Sequence, residues 1–368
     1  MTLVLTPRRI VAGIAALGAA GLILAWSGVI HVGASTGHAA LTDWFLHWAM
    51  RNTVRTYAAL TVETPAADPS GLVSAAAHYA GHCAICHGAP GEPPSPQMQA
   101  ATPHAPDLAR TAHTYSDAEL FWIVKHGVKF TGMPAWPALD RDDEIARMAA
   151  FVRRLPGMTA PEYRALAFGS GTIAGARAIT LEHALADCER CHAEHGRGQP
   201  DIPILAGQKV AYLRGALDDF ASGRRASGVM QGAAARVDAG LRDALAEHYA
   251  SLAGLAETSI VDPAERTQPA PKAADATAAS VVAHGIPELD VPPCANCHAP
   301  RKRDDYPILA GQKAFYLAAR LRNWRSAGAG HVDGRRPDDA MPTIARRLPE
   351  GLIEPLADYF ANLGTEEP

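Results

Sequence analysis

The chain has 368 residues, of which 48% are hydrophobic and 20% are charged, and its formal net charge is −4. This length allows three domains of ordinary small size, and the composition is that of a globular chain rather than a disordered one. Because there is no surplus of basic residues, nucleic acid is excluded as the expected partner.

An apolar segment lies near the N-terminus. Arg8 and Arg9 precede an uncharged run over residues 10–30. This run is about long enough to span a bilayer and exceeds the apolar core of a cleaved signal peptide. The arginines predict a cytoplasmic N-terminus. We therefore expect a single-pass transmembrane anchor at 1–31 in a bacterial inner membrane. A cleaved signal, processed near the small residues at 34–40, is the alternative.

Residues 32–69 are predicted to form an amphipathic helix and a linker. Asp43 suits the start of the helix, and its aromatic residues suit the lipid headgroup region: Trp44, Phe45 and Trp48. Packing against the following domain explains the same pattern. A Pro-containing stretch at 64–69 then ends the segment.

All six cysteines fall in three copies of the pattern C-x-x-C-H, the attachment signature of a c-type haem. The copies are Cys83, Cys86 and His87; Cys188, Cys191 and His192; and Cys294, Cys297 and His298. Two thiols on one side of a helical turn form thioethers to the haem, and the histidine binds the iron. Random placement of these residue types predicts only about 0.004 such motifs. The sequence therefore predicts three covalently attached haem c groups.

Two other interpretations of the cysteines remain. Zinc sites combine Cys and His ligands, but their paired motifs usually lie close together, whereas these copies lie about a hundred residues apart. Disulfides or redox dithiols within each motif would not explain the histidine that follows every pair. Covalent haem attachment takes place outside the bacterial cytoplasm. The interpretation of these motifs as haem sites therefore implies that the chain is exported, and we expect the haem domains in the periplasm.

The first motif lies in a segment with the order helix, haem motif, loop, helix, methionine loop, helix. Ser116 has the features of a cap for a helix reaching Gly127, and a further helix is predicted from Asp142 to Leu155. The segment resembles a class I cytochrome c domain of membrane-bound bacterial electron carriers. That resemblance implies Met133 as the sixth iron ligand, and a soft thioether raises the haem potential. Weaker candidates for that position are Met98, His104, His113 and His126.

The last two motifs lie in copies of one domain. Residues 203–209 recur unchanged at 307–313, and each copy ends in an amphipathic helix, at 241–255 and at 352–363. A spacing near a hundred residues indicates duplicated domains rather than a solenoid. The pair resembles the di-haem cytochrome c4 over residues 180–365. That resemblance implies two further axial ligands, Met230 and Met341. The bis-histidine alternatives are His195, His248 and His331.

The predicted fold is all-α, with three class I cytochrome c domains in tandem after the anchor. The expected ranges are 70–160 for the first domain, 170–261 for the second and 281–368 for the third. An Ala/Pro-rich linker at 262–280 predicts a loose joint between the last two.

His/Met ligation at every iron leaves no position for substrate, so no catalytic residues are expected and the chain is read as an electron-transfer protein rather than an enzyme. We expect a periplasmic, membrane-tethered tri-haem cytochrome between a quinol-oxidising complex or dehydrogenase and a terminal oxidase or reductase. The first alternative is the cytochrome subunit of a membrane-bound alcohol or sugar-acid dehydrogenase complex. The second is a haem enzyme such as a peroxidase or nitrite reductase, which requires a five-coordinate iron.

Overall fold

The structure is a computed structural model that describes residues 6–30, 32–63, 72–169, 180–255, 273–298, 304–326 and 340–363. Within these ranges the regular elements are helices, joined by turns and a few isolated β-bridges. The all-α class predicted from the sequence is confirmed. Buried apolar side chains form three core clusters, one around each motif. We call these regions unit 1 (72–169), unit 2 (180–255) and unit 3 (273–363).

Two long helices precede unit 1: α1 (Pro7–Trp26) and α2 (Ala40–Thr61). Helix α1 is long and apolar enough to cross a membrane. None of its residues is buried against the described part of the chain. Helix α2 packs on unit 1, where the rings of Tyr57 and Trp122 lie 5.9 Å apart. More than half of each Trp44, Phe45 and Trp48 side chain remains exposed. The packing therefore uses one end of α2 and leaves the aromatic end uncovered.

Unit 1 contains short helices around its motif and longer ones behind it. They are α3 (Leu72–His78), a π-helical turn (Tyr79–Cys83), α4 (Ala84–His87), α5 (Pro96–Gln99), α6 (Leu108–Thr111), α7 (Asp117–His126), α8 (Asp142–Arg154) and α9 (Ala160–Phe168). Ser116 caps α7 in a capping box with Glu119, as its sequence predicts. Helix α9, which the sequence analysis did not anticipate, places Tyr163 in the core 6.4 Å from the Tyr79 ring.

Units 2 and 3 repeat one helical arrangement. Unit 2 comprises α10 (Leu181–His192), α11 (Val210–Ala221), α12 (Gly228–Ala235) and α13 (Ala239–Ser251). Unit 3 comprises α14 (Ala273–His284), α15 (Ala295–His298), α16 (Ala314–Ser326), α17 (Met341–Arg347) and α18 (Ile353–Ala361). The last helix of each unit supplies its largest buried side chains, including Leu245 in one and Ile353 in the other.

Helix α14 begins inside the stretch whose composition predicted a linker. Ala278 is fully buried and Ala279 nearly so, and both belong to the core of unit 3. Alanine is the best helix former and loses no side-chain entropy, so an Ala-rich segment next to an apolar core folds onto it. The remainder of the predicted linker, 262–272, lies outside the described residues.

Units 2 and 3 meet through a pair of glutamines at equivalent positions of the repeat. The Gln208 side chain donates to the Ile308 carbonyl oxygen (3.1 Å) and accepts from the Ile308 N–H (2.9 Å). Gln312 does the same with Ile204, at 3.0 and 2.8 Å. Both glutamines are buried. The sequence predicted a loose joint here, but the reciprocal bonds hold the two units in one fixed arrangement.

Helix α8 is one of the elements through which unit 1 contacts the other two units. The Arg147 Nε atom lies 3.8 Å from an Asp201 carboxylate oxygen of unit 2. The same guanidinium lies over the Phe315 ring of unit 3, 5.3 Å from its centroid. Unit 1 therefore contacts both unit 2 and unit 3.

Candidate haem sites

Each C-x-x-C-H motif ends a helix. The first spans the π-helical turn and α4, the second ends α10 and the third ends α15. After the first two histidines the chain turns sharply, with positive φ at Gly88 (69°) and Ala193 (61°). Each histidine therefore stands at the last position of a helix.

All three motif histidines make the same hydrogen bond. Their Nδ1 atoms lie near the carbonyl oxygen of a proline: His87 near Pro106 (2.9 Å), His192 near Pro203 (3.0 Å) and His298 near Pro307 (3.3 Å). A carbonyl oxygen only accepts, so Nδ1 carries the proton and Nε2 keeps its lone pair for a metal. Burial also lowers the pKa of each imidazole, which favours the neutral, ligating form.

The sequence contained only part of the signal for this arrangement. Pro203 and Pro307 open the repeated block, so their recurrence marked them as structural. Pro106 lies in a Pro-rich loop and had no distinguishing feature. That loop places an equivalent carbonyl behind His87 although its sequence is unrelated to the repeat.

Four of the six cysteine sulfurs lie in surroundings that disfavour charge. Burial raises the pKa of Cys83 and Cys188 to about 12, and that of Cys191 and Cys294 to about 11. All six cysteines are free of disulfides. No three His, Cys, Asp or Glu side chains of the described ranges are grouped as a metal site, whereas structural zinc needs four ligands at one point. The environment suits neutral thioether sulfur better than thiolates.

The second and third motifs open onto one cavity of about 600 Å³. Its lining includes the motif side chains of both units and the two methionines predicted to complete them: Cys188, Cys191, His192, Met230, Cys294, Cys297, His298 and Met341. Units 2 and 3 thus each bring a methionine to the cavity that their own motif faces. The shared cavity was not foreseen from the sequence.

The middle of this cavity carries buried positive charge. Arg225 donates to the hydroxyls of Tyr212 (3.3 Å) and Tyr316 (3.0 Å), which are equivalent positions of the repeat. Arg320 is also buried, and its pKa is lowered to about 10 by burial and by the charge of Arg225. Among the described residues, the Nε atoms of Arg225 and Arg320 have no hydrogen-bond partner. Buried guanidinium groups with unused donors suit carboxylates, and haem carries two. The residues present therefore fit the haem group.

The predicted ligand of unit 1 lies in a tight loop after α7. The Met133 carbonyl accepts from the Val128 N–H (3.2 Å), and the Met133 N–H donates to the Thr131 hydroxyl (3.1 Å). Gly127 has a φ of 63°, and a Cβ atom there would lie 2.6 Å from the Met133 carbonyl oxygen. Glycine is therefore required where the loop closes on the helix end. Met133 lies in this loop of unit 1 and does not line the cavity shared by units 2 and 3.

The weaker candidates differ in how far they are buried. His104, His113, His126 and His195 are exposed, whereas Met98 and His248 are partly buried. Neither His195 nor His248 lines the cavity of units 2 and 3. His331 lies outside the described residues. The structure thus gives none of the described histidines in units 2 and 3 a place beside a motif that competes with Met230 or Met341.

The chain is similar to several known proteins. Residues 72–152 match the family model described as cytochrome C oxidase, cbb3-type, subunit III. The thiosulfate dehydrogenase electron acceptor of Stutzerimonas stutzeri (strain A1501) is 35% identical over 185 residues, covering 49% of this chain and 80% of that protein. Cytochrome c4 of Azotobacter vinelandii is 29% identical over 195 residues, covering 48% and 84%. The solved structure of reduced recombinant cytochrome c4 from Pseudomonas stutzeri aligns with a TM-score of 0.39 at 27% identity, covering 50% and 100%.

The chain belongs to the c-type cytochromes. Its described units are helical, and its function is electron transfer. Covalently bound haem c is the cofactor that this membership implies.

Proposed function

We propose that the chain is a tri-haem electron carrier, tethered to the inner membrane by α1, with its haem units in the periplasm. One observation carries this proposal: behind each of the three motifs, the same histidine-to-proline bond presents Nε2 for iron. A motif that arose by chance would not need this bond three times, because the bond is one that orients a metal-ligating histidine. Haem supplies one-electron redox chemistry when bound, and the chain supplies the ligands, the enclosure and the charge around it.

We further propose Met133, Met230 and Met341 as the sixth ligands. Each is partly buried, and the latter two line the cavity that their motif faces. A thioether opposite histidine stabilises ferrous iron and raises the potential. With both axial positions taken, substrate cannot reach the iron, which favours electron transfer over a peroxidase or reductase activity.

The proposed donor is a periplasmic dehydrogenase, and the proposed acceptor is a terminal oxidase. The donor is supported by the relative named as an electron acceptor of thiosulfate dehydrogenase, and the acceptor by the match of unit 1 to an oxidase subunit model. A quinol-oxidising complex as donor and a reductase as acceptor remain the other partners of the same scheme.

The second candidate function is a cytochrome subunit held permanently in a dehydrogenase complex. The relative named for its dehydrogenase partner favours this reading. Purification of the full chain from its native membrane distinguishes the two: a free carrier separates from other proteins in mild detergent, whereas a subunit co-purifies with a catalytic partner in fixed ratio.

Optical spectroscopy of the detergent-purified full chain tests the ligation. We expect the weak far-red charge-transfer band of an iron–thioether bond in the oxidised protein, at an intensity of three haems, and no spectral change with carbon monoxide after reduction. A high-spin haem or one that binds carbon monoxide would show an open iron and would contradict the carrier proposal.

A further inference from the structure

The three proposed ligand methionines are held in different ways. Met133 and Met341 are each followed by a proline, whereas Met230 is followed by Gln231. Proline fixes its own φ and restricts the residue before it, so it stiffens the backbone that carries the sulfur. The Met230 backbone lacks this constraint and needs another one.

A capping serine supplies the first part of that constraint. Helix α12 begins directly after Ser227, whose hydroxyl oxygen accepts from the Met230 N–H at 3.0 Å. Ser227 is only 1% exposed. The bond fixes Met230 in the first turn of its helix. In unit 3, the corresponding helix α17 has no side-chain cap at Ala340.

The second part comes from unit 1. Glu144 of α8 is buried, and one of its carboxylate oxygens accepts from the Ser227 hydroxyl at 2.6 Å. Its other oxygen accepts from the Gly228 N–H at 2.7 Å. A hydroxyl has a single hydrogen, so its donation to Glu144 orients the lone pairs of Ser227 toward the Met230 N–H. One carboxylate therefore holds both the cap and the first N–H of the helix that carries Met230.

Unit 1 also holds Glu144 itself in place. Arg141 lies 2.9 Å from a Glu144 oxygen and donates to the Ala226 carbonyl of unit 2 at 3.1 Å. The Trp136 indole N–H donates to Glu144 at 3.3 Å. A Cβ atom on Gly228 would collide with the Trp136 indole, so this contact admits only glycine. The neighbouring Val229 packs against the core of unit 1.

We propose that Glu144 of unit 1 is a positioning residue for the second haem, which fixes Met230 through Ser227 and Gly228. The proposal rests on the proposed function, because it takes Met230 as the sixth ligand. Unit 1 then does more than carry its own haem. It completes the ligand loop of its neighbour, so the potential of the second haem depends on the docking of unit 1, whereas Met341 in unit 3 is followed by Pro342.

Spectroscopy and a redox titration of the full-length E144Q variant test this proposal. Glu144 accepts from the Ser227 hydroxyl and the Gly228 N–H through different oxygens. A glutamine amide has only one acceptor oxygen, so it cannot reproduce both bonds in this geometry. We expect the far-red band to weaken by up to about one third, the share of one haem in three, and one midpoint potential to fall while two stay unchanged. S227A should give the same pattern, and the E144Q/S227A pair should add little to either single change because both act on one linkage.

Two control variants separate this proposal from the ligand assignment. D142N changes an exposed carboxylate in the first turn of the same helix and should leave the band and all three potentials unchanged. M230L should remove about one third of the band. If M230L has this effect while E144Q and S227A leave the band and potentials as in the natural chain, the role of Glu144 is refuted and Met230 stands.

The remaining outcomes are also decisive. If M230L leaves the band unchanged, Met230 is not a ligand, and the His/Met assignment of the second haem falls together with the role of Glu144. If E144Q does not accumulate with three haems, E144D takes its place, since it keeps the charge but shortens the reach. Unchanged spectra in E144D and S227A together would then overturn the proposal.

Discussion

The two interfaces of unit 2 are built on different principles. Toward unit 3, Gln208 and Gln312 occupy equivalent positions of the repeat and make the same pair of bonds in opposite directions. Toward unit 1, the contacts of charged residues are not repeated: Glu144 binds Ser227, Arg147 lies near Asp201, and Arg190 of unit 2 donates to the Ala167 carbonyl of unit 1. A duplicated sequence generates a symmetric contact, because a residue that binds its copy is bound by it in return. Joining an unrelated unit requires residues specific to each side.

The largest expected effect follows from removing the haem that we propose for unit 2. C188S/C191S should eliminate about one third of the covalent haem, and the third haem should change its potential more than the first, because units 2 and 3 share one cavity. Haem content and a redox titration of the purified chain measure both effects. The matched variant C83S/C86S should leave the potentials of the second and third haems closer to their natural values. Equal shifts of the haem potentials in the two variants would contradict the difference between the two interfaces.

The symmetric interface predicts equal losses from its two glutamines. Q208A leaves the Ile308 N–H and carbonyl buried without partners, and each such group costs about 1–3 kcal/mol. Q312A should lower the free energy of unfolding by a similar amount through Ile204. Denaturant unfolding measures both, and Q99A, which removes an exposed glutamine, serves as the control. A large loss from one variant with none from the other would contradict the symmetry.

Unit 1 also predicts a pH dependence of stability. His78 is buried against Trp136 and His82, and burial lowers its pKa from 6.5 to about 3. Between these values the unfolded chain binds a proton that the folded chain does not, so stability falls as the pH drops below 6.5. The loss attributable to His78 is about 1.3 kcal/mol from pH 7 to 5.5.

Unfolding of H78Q at the two pH values measures this contribution. The variant should show a shallower dependence than the natural chain. H113Q changes an exposed histidine of the same unit and should keep the natural slope. An identical slope in H78Q would mean that His78 is not buried as an uncharged side chain.

The smallest expected effect lies where unit 1 touches unit 3. F315L keeps most of the apolar volume but removes the ring beneath Arg147, which should lower the free energy of unfolding by about 0.5 kcal/mol. F130L changes a fully exposed phenylalanine and should have no measurable effect. A loss from F315L as large as that from Q208A would place unit 3, rather than unit 2, at the centre of the docking of unit 1.

The same contrast explains what the sequence could reveal. Motifs and repeats are local or self-similar, so the three haem motifs, the capped helix after Ser116 and the repeated block at 203–209 were all visible as patterns. The carbonyl of Pro106 behind His87 was not, because any residue has a carbonyl and only the fold decides which one lies there. Glu144 was likewise indistinguishable from a surface residue in the first turn of a helix. Its partners lie more than eighty residues away in a unit of unrelated sequence.

The Ala/Pro-rich stretch shows how composition can mislead. Its residues predicted a loose joint, yet Ala278 and Ala279 belong to a helix in the core of unit 3. Alanine suits both a linker and a buried helix, and tertiary packing decides between them. The contact between units 2 and 3 depends on Gln208 and Gln312. The sequence did not reveal this role, because it does not show that the two copies of the domain face each other.

The mass of the intact, denatured full chain tests most directly whether all three sites are filled. Thioether-bound haem survives denaturation, so the mass should exceed that of the polypeptide by three haem groups. C83S/C86S, C188S/C191S and C294S/C297S should each reduce this excess by one group. An excess of two or fewer in the natural chain, with a cysteine pair left as free thiols, would contradict the assignment of three haems.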